Sequence, residues 1–195
     1  MTDQGEQPQP QFKDFDLSTE MLAALEHAEY QTPTPVQAGI IPGALDGQDL
    51  IGQAQTGTGK TAAFAIPILE QLSPADEIRS PQALILAPTR ELAVQVSGEF
   101  EKLSYKQQIK TVTLYGGKPI RGQIEQLKGS VQVVVGTPGR LLDHIQRKTL
   151  NLSEVWCVVL DEADRMLDIG FRPDIEKILR RCTCKDRQTL LLSAT

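Results

Sequence analysis

Short apolar runs alternate with helical patterns along the chain after residue 48. Each run is rich in Val, Ile and Leu and ends in small or polar residues, as strands do. The apolarity is continuous rather than alternating, which is typical of strands buried on both faces of a parallel sheet. The predicted strands are DLIGQ, ALILAP, TVTLYG, VQVVVGT, VWCVVLDEAD and TLLLSAT.

Helix starts are predicted between these runs. Ser18 is placed to cap the segment TEMLAALEHA, and Thr34 and Thr137, each followed by proline, open two further helices. The helix that begins near Lys60 contains Pro67, so we expect it to be kinked or interrupted there. The alternation predicts an α/β fold, a doubly wound, mostly parallel sheet with helices on both faces, in which ligands gather at the carboxyl ends of the strands.

Composition adds limits on the class of protein. Residues 1–11 are rich in Gln and Pro and are expected to form a flexible leader before one domain over 12–195. No stretch approaches the roughly 20 apolar residues of a membrane span, so no membrane partner is expected. The net charge of −5 argues against nonspecific attraction to nucleic acid but allows a local basic groove. The odd count of three cysteines fits a reducing cytoplasm, and we expect a monomer.

A phosphate-binding motif follows the first predicted strand. The segment AQTGTGKT, residues 54–61, matches G-x-x-x-x-G-K-[ST] except that Ala54 replaces the first Gly. Glycines let backbone N–H groups converge on an anion at a helix N-terminus, Lys60 can reach terminal phosphates, and Thr61 can ligate Mg²⁺. The alternative, a Gly/Thr-rich turn with an exposed lysine, is disfavoured by the strand before the motif and the helix after it. The predicted nucleotide-contacting residues are Gln55, Thr56, Gly57, Thr58, Gly59, Lys60 and Thr61.

An acidic pair follows the buried strand VWCVVL. Asp161 is predicted to hold the metal through water, and Glu162 to act as the base that orients and deprotonates a water molecule. The alternative is that these carboxylates only begin a solvated helix, where acidic residues are favoured. Together with the phosphate loop they predict a catalytic set of Lys60, Asp161 and Glu162.

The segment Asp161-Glu162-Ala163-Asp164 spells the signature of the DEAD-box RNA helicases, and the chain resembles the bacterial type of that family along nearly its whole length. PTREL (88–92), Gly116-Gly117, TPGR (137–140) and SAT (193–195) resemble the family's motifs in the same order. The resemblance implies the first, RecA-like lobe of an ATP-dependent RNA helicase, with ATP or ADP and Mg²⁺ bound. Because the chain ends on TLLLSAT, we expect the C-terminal RecA-like lobe to be missing. The isolated lobe is then expected to bind nucleotide, to hydrolyse it slowly and not to unwind duplexes.

The segment QTPTPVQ (31–37) resembles the family's Q motif, which implies that Gln37 hydrogen-bonds the adenine edge. Its amide offers the donor and the acceptor that adenine requires. Phe12 stands at the family's upstream aromatic position and is expected to stack on the base, whereas Phe15 is expected to pack. Thr34 and Gln37 also form a capping-box pattern, so the alternative is that Gln37 serves only its own helix. Glu29 stands where the family usually has Gly.

RNA is the polymer that the resemblance implies. Hydroxyls, backbone amides, helix ends and single arginines suit sugar–phosphate contacts, so binding is expected to be independent of sequence. Each segment alone is more often only a capped helix start. The predicted RNA-contacting residues are Pro88, Thr89, Arg90, Gly116, Gly117, Thr137, Pro138, Gly139 and Arg140.

The resemblance also implies that Ser193 and Thr195, with Asp164, couple nucleotide state to strand separation, although strand-end hydroxyls can simply cap backbone. Two rival functions stay open: a nucleotide-sensing module without turnover, and a phosphate-loop kinase for a small molecule. The complete acidic pair argues against the first, and the second leaves PTREL, TPGR and SAT unexplained.

Overall fold

The computed structural model describes residues 9–55, 57–73 and 80–194. Its centre is a six-stranded sheet in the order β1-β6-β5-β2-β4-β3, and every strand pair is parallel. The predicted parallel α/β sheet is therefore confirmed. The strands are β1 (Leu50–Gln53), β2 (Ala83–Leu86), β3 (Thr111–Leu114), β4 (Val133–Gly136), β5 (Cys157–Leu160) and β6 (Gln188–Ser193).

The predicted helix starts are confirmed by the structure. Ser18 Oγ accepts the Met21 N–H at 3.0 Å, and Thr34 lies at the N-cap of the second helix. Thr137 directly precedes a helix, but its side chain makes no capping hydrogen bond. The helices are α1 (Thr19–His27), α2 (Pro35–Leu45), α3 (Lys60–Gln71), α4 (Arg90–Leu103), α5 (Ile120–Gln126), α6 (Pro138–Gln146), α7 (Ala163–Asp168) and α8 (Arg172–Leu179), with a short 3-10 helix at Phe12–Asp14.

Helices cover both faces of the sheet because the central strands are apolar on both sides. Along β2, Ala83 and Ile85 contribute to a core cluster that includes residues of α1 to α4. Leu84 and Leu86 contribute to a second cluster, with residues of α6, α7 and α8. The side chains of a strand alternate between faces, so continuous apolarity builds two cores at once.

Of the two outcomes expected at Pro67, a kink or an interruption of α3, the interruption is wrong, and the kink stays a prediction. The helix runs without a break over Lys60–Gln71 although Pro67 lacks the N–H that a helix interior uses. Every residue from Ala62 to Leu69 is buried, and the Gln71 side chain donates to the Pro67 carbonyl at 3.2 Å and to the Ala44 carbonyl at 3.1 Å. Packing on all sides therefore maintains the helix across the missing hydrogen bond.

Residues 1–8 of the predicted flexible leader lie outside the described residues, so that prediction is not tested. Within the described ranges, no helix is both long and apolar enough to cross a membrane.

The turn after α1 places a glutamate in a conformation that favours glycine. Glu29 has φ of +61°, and its N–H and that of Tyr30 donate back to the carbonyls of Glu26 at 3.0 Å and Leu25 at 2.9 Å. This is the Schellman arrangement, whose left-handed position is usually Gly. The glycine that the resemblance implies at this position would adopt this conformation without strain.

We expect Glu29→Gly to raise the free energy of unfolding. The left-handed conformation costs a non-glycine residue about 1–2 kcal/mol, and glycine removes this cost. Because glycine also makes the unfolded chain more flexible, part of that stabilisation is offset, and the net increase is about 1 kcal/mol. Urea and thermal unfolding measure the change, with a rise in Tm of about 2–4 °C for a domain of this size. Glu29→Ala is the matched control, because it removes the same exposed carboxylate without relieving the backbone. Equal stability of the two variants would contradict the prediction.

Candidate functional site

The phosphate loop connects β1 to α3. Gly57 and Gly59 adopt left-handed conformations, with φ of 84° and 87°, and α3 begins directly afterwards at Lys60. The Thr58 hydroxyl donates to the Gln55 carbonyl at 2.7 Å, which holds the turn closed. The loop thus ends at a helix N-terminus, whose free N–H groups and dipole favour an anion.

Gln37 links α2 to this loop. Its side chain is fully buried; Oε1 accepts the Thr34 N–H at 2.9 Å, and Nε2 donates to the Gly59 carbonyl at 3.2 Å. The capping box predicted as the alternative is therefore present. A Cβ at Gly59 would collide with the Gln37 amide, so this contact also requires glycine in the loop. Adenine recognition by Gln37 stays a prediction, and it can coexist with these bonds because the amide has a second N–H and a second oxygen lone pair.

Phe12 and Phe15 lie together near the start of the described chain. Phe12 is only 5% exposed, and its ring meets Phe15 and Tyr30 edge to face, with centroids 6.2 and 6.1 Å apart. Phe15 is half-buried and packs against the same core. An open cleft of about 740 Å³ is lined by Phe12, Lys13 and Glu29, among others. Phe12 thus combines packing with a position on a cleft wall, and its stacking on a base stays a prediction.

The acidic pair lies where β5 ends and α7 begins. Asp161 is 2% exposed, and its N–H donates to the Leu86 carbonyl at 3.0 Å. Burial raises the pKa of Asp161 to about 6; the Lys60 ammonium opposes this rise, and the Glu162 carboxylate adds to it. Two opposite charges from different elements, Lys60 and Asp161, therefore act on each other. The predicted metal ligand Thr61 is half-buried in the first turn of α3.

These charged atoms fit a nucleotide with a metal ion. Lys60 Nζ and Asp161 Oδ1 are both buried, and neither has a hydrogen-bond partner within the described part of the chain. Buried charges are normally paired and hydrogen-bonded, because leaving water costs several kcal/mol per ion. A phosphate oxygen would satisfy the ammonium, and a cation or its bound water would satisfy the carboxylate.

Glu162 has a partner that the sequence pattern did not indicate. Its Oε2 lies 3.1 Å from Arg165 Nη1, three residues further along the chain, and its backbone is left-handed with φ of 52°. The Arg165 side chain is 56% exposed, so this ion pair contributes little and opens easily. The i,i+3 spacing on α7 was the signal that could have indicated the pair.

The three segments predicted to contact RNA meet at one edge of the sheet. The order β2-β4-β3 makes the carboxyl ends of these strands neighbours. Thr89 caps α4 by accepting the Leu92 N–H at 3.2 Å. The guanidinium of Arg90, the next residue, lies 4.9 Å from the ring centroid of Tyr115, which follows β3.

The glycine loop after β3 contacts the start of α6 directly. Both Nη1 and Nη2 of Arg140 donate to the Lys118 carbonyl at 3.1 Å, and the Lys118 ammonium lies 5.3 Å from the Tyr115 ring centroid. Gly117 has φ of +82°. Tyr115 and Lys118 were missed in the sequence, although their adjacency to Gly116-Gly117 at a strand end was a usable signal. Pro138 is buried and Gly139 exposed at the start of α6, and Pro88 is buried beside Thr89.

Ser193, one of the predicted coupling residues, lies on the strand between β1, which precedes the phosphate loop, and β5, which precedes the acidic pair. Ser193 ends β6, which pairs with β1 on one side and β5 on the other. Its carbonyl accepts the Ala54 N–H at 3.0 Å, at the start of the phosphate loop. Asp164 lies in the first turn of α7. Thr56 and Thr195 lie outside the described residues, and the coupling role stays a prediction.

Comparisons with known proteins agree with this arrangement. A family model described as DEAD/DEAH box helicase matches residues 34–195. The chain is 50% identical over 184 residues to the DEAD-box ATP-dependent RNA helicase CshA of Bacillus subtilis, covering 94% of this chain and 37% of the relative. It is 51% identical over 184 residues to the ATP-dependent RNA helicase CshA of Listeria monocytogenes, covering 94% and 35%. The chain therefore spans little more than a third of these relatives.

A solved structure of a DEAD box protein from the hyperthermophile Methanococcus jannaschii has the same fold. It superposes with a TM-score of 0.88 at 47% identity, and the match covers 95% of this chain and 50% of that one. The RecA-like α/β fold expected from the sequence is thereby confirmed.

Proposed function

Because this chain belongs to the DEAD/DEAH box helicase family, we propose that it is the nucleotide-binding and hydrolysing lobe of an ATP-dependent RNA helicase. The observation that carries the proposal is that two buried charged atoms next to a phosphate loop, Lys60 Nζ and Asp161 Oδ1, have no hydrogen-bond partner among the residues that the structure describes. A ligand that carries both phosphate and a cation accounts for both atoms. The two CshA relatives are named ATP-dependent RNA helicases.

In this proposal Lys60 binds the terminal phosphates of ATP, and Thr61 and Asp161 hold Mg²⁺. When bound, Mg²⁺ supplies positive charge that neutralises the phosphate oxygens. Asp161 must be ionised to serve as a ligand, and its raised pKa of about 6 still leaves the carboxylate mostly ionised near neutral pH.

Glu162 orients and deprotonates the attacking water. Its Oε2 pairs with Arg165 at 3.1 Å, and because the Arg165 side chain is 56% exposed, this ion pair offers little resistance to rotation of the carboxylate. Asp164, Ser193 and Thr195 couple this site to the strand ends that bind RNA. Ser193 supports that role because its carbonyl bonds the start of the phosphate loop.

RNA crosses the carboxyl ends of β2, β4 and β3. Arg90, Lys118 and Arg140 supply positive charge there, and the exposed glycine loop allows close approach of the sugar–phosphate backbone. Such contacts position a nucleic acid without reading its bases, so binding is independent of sequence.

Unwinding and rapid hydrolysis belong to a longer protein. The chain spans 35% to 37% of the two CshA relatives, and we propose a C-terminal RecA-like lobe as its partner. Phosphoryl transfer often needs an arginine from outside the nucleotide site, which that lobe would supply. The lobe alone binds nucleotide and turns it over slowly.

We also propose that the protein is a monomer and that it is cytoplasmic. Its free cysteines support the cytoplasmic location, because thiols stay reduced in that compartment.

Gln37 provides the test of the nucleotide assignment. Calorimetric titration should give tighter binding of Mg²⁺-ADP than of Mg²⁺-GDP, and Gln37→Ala should abolish most of this preference. Loss of a donor and an acceptor to the base is worth about tenfold in affinity or more.

Thr34→Ala separates base recognition from helix capping. It removes the other half of the capping box, in which the Gln37 N–H donates to Thr34 Oγ1 at 3.5 Å, but keeps the amide. Thr34→Ala should therefore lower the free energy of unfolding by about 1 kcal/mol and retain the preference for ADP. Equal binding of both nucleotides by the wild-type chain would leave Gln37 as a helix cap only.

A further inference from the structure

A buried chain of hydrogen bonds joins α6 and α5 to the loop after β3. His144, on α6, is fully buried, with Nδ1 2.9 Å from Thr149 Oγ1 and Nε2 3.3 Å from Gln123 Oε1. Gln123, on α5, is 5% exposed and donates Nε2 to the Tyr115 carbonyl at 3.0 Å. These contacts connect residues that are up to 34 positions apart in the sequence, from Tyr115 to Thr149.

The chain of bonds defines which ring nitrogen of His144 carries the proton. The Gln123 amide nitrogen is used on the Tyr115 carbonyl, so its oxygen faces the ring and His144 Nε2 must donate. The single proton of the Thr149 hydroxyl can be donated to Nδ1 at 2.9 Å or to the His144 carbonyl at 3.1 Å, and in a ring protonated on Nε2 it is donated to Nδ1. Burial lowers the pKa of His144, and the Arg140 charge lowers it further. A neutral ring with the proton on Nε2 therefore satisfies both contacts.

The loop after β3, from Tyr115 to Lys118, is hydrogen-bonded at both of its ends. Arg140 donates two hydrogen bonds to the Lys118 carbonyl, while Gln123 holds the Tyr115 carbonyl. Between the two held carbonyls lie Gly116 and Gly117, where an added Cβ would meet no atom within 4 Å. The outer side of the loop is thus open to a ligand, and its inner side is fixed.

We propose that His144 and Gln123 are positioning residues, which hold the Tyr115–Lys118 loop in the shape that contacts the sugar–phosphate backbone. This inference rests on the proposed function. Two flexible glycines would otherwise have to be ordered at the moment of binding, which weakens affinity. A buried histidine that only completes the core would affect stability alone, so the experiment must separate the two roles.

The test compares three variants with the wild-type chain. His144→Leu removes both ring contacts, Gln123→Met removes the bond to the Tyr115 carbonyl, and His144→Gln keeps an N–H donor at the end of a side chain of similar length. Backbone order parameters at Gly116 and Gly117 should fall from about 0.85 in the wild-type chain to below about 0.6 in His144→Leu and Gln123→Met. Affinity for a short labelled oligouridylate at fixed salt should weaken about threefold to tenfold. His144→Gln should restore both, and Mg²⁺-ADP affinity should stay within about twofold throughout.

The controls cover folding and chemistry. His27→Leu makes the same change at an exposed histidine stacked on Tyr105 and should alter neither readout. If His144→Leu does not fold, Gln123→Met carries the comparison. The ring-nitrogen spectrum of wild-type His144 should show the proton on Nε2 alone.

The outcomes separate the two proposals. Unchanged order parameters and unchanged oligouridylate affinity in the folded variants would overturn the positioning role and leave the proposed function intact. A loss of affinity that His144→Gln does not restore would also overturn it. No oligouridylate binding by the wild-type chain would count against RNA binding itself, and the order parameters would still decide whether His144 and Gln123 hold the loop.

Discussion

Replacing Lys60 with Met should weaken the affinity for Mg²⁺-ADP about 100-fold. A charged hydrogen bond is worth about 1.5–3 kcal/mol, and each 1.4 kcal/mol is a factor of ten in the dissociation constant. We expect the loss for Lys60 to lie near the upper end of this range, because this residue is 7% exposed and its ammonium has no hydrogen-bond partner within the described residues. Calorimetric titration measures the loss directly.

Lys177→Met is the matched control for this substitution. The Lys177 side chain is 62% exposed and lies 3.5 Å from Asp174 on α8, so its removal should leave nucleotide affinity unchanged. Unfolding curves of both variants identify any general loss of structure. Near-wild-type affinity in Lys60→Met would mean that the loop binds nucleotide through its backbone alone. It would contradict the interpretation of the buried Lys60 ammonium as a phosphate ligand, on which the proposed function depends.

The features that the sequence predicted well are those set by neighbouring residues. The phosphate loop was found because a strand, two glycines and a helix start follow one another within residues 50–61. The two-sided sheet was found because a strand such as β5, buried at all four positions, needs an unbroken apolar run. The cap at Ser18 is likewise a contact over three residues.

The features that were missed depend on residues far apart in the chain. The bond from Gln37 to the Gly59 carbonyl spans 22 residues, as does that from Arg140 to the Lys118 carbonyl. No local pattern specifies such partners, because many polar side chains have suitable chemistry and only the packed fold selects one. The unbroken helix through Pro67 has the same origin, since burial against neighbouring helices outweighs a local preference.

Asp161→Asn should raise the free energy of unfolding of the nucleotide-free protein near neutral pH. The same substitution should remove the dependence of nucleotide binding on Mg²⁺. Burial raises the pKa of Asp161 from 3.8 to about 6. Between these two pH values the Asp161 carboxyl group is ionised in the unfolded chain and protonated in the folded chain. The folded state therefore binds more protons, so the free energy of unfolding falls as the pH rises through this window. Above about pH 6 the folded protein carries a buried carboxylate at a cost of about 3 kcal/mol.

Asparagine resembles the protonated aspartate, so the variant should escape that cost. Urea unfolding without nucleotide should give Asp161→Asn an advantage of up to about 3 kcal/mol near pH 7, which should shrink to nothing near pH 4. Asp143→Asn is the control, because its carboxylate is 38% exposed and pairs with Arg147 on the surface; we expect a change of at most about 0.5 kcal/mol. An Asp161→Asn protein that is no more stable than wild type near pH 7, or whose advantage persists at pH 4, would contradict the prediction. The expected result would mean that the fold keeps a destabilising charge at the end of β5 because a bound cation needs it.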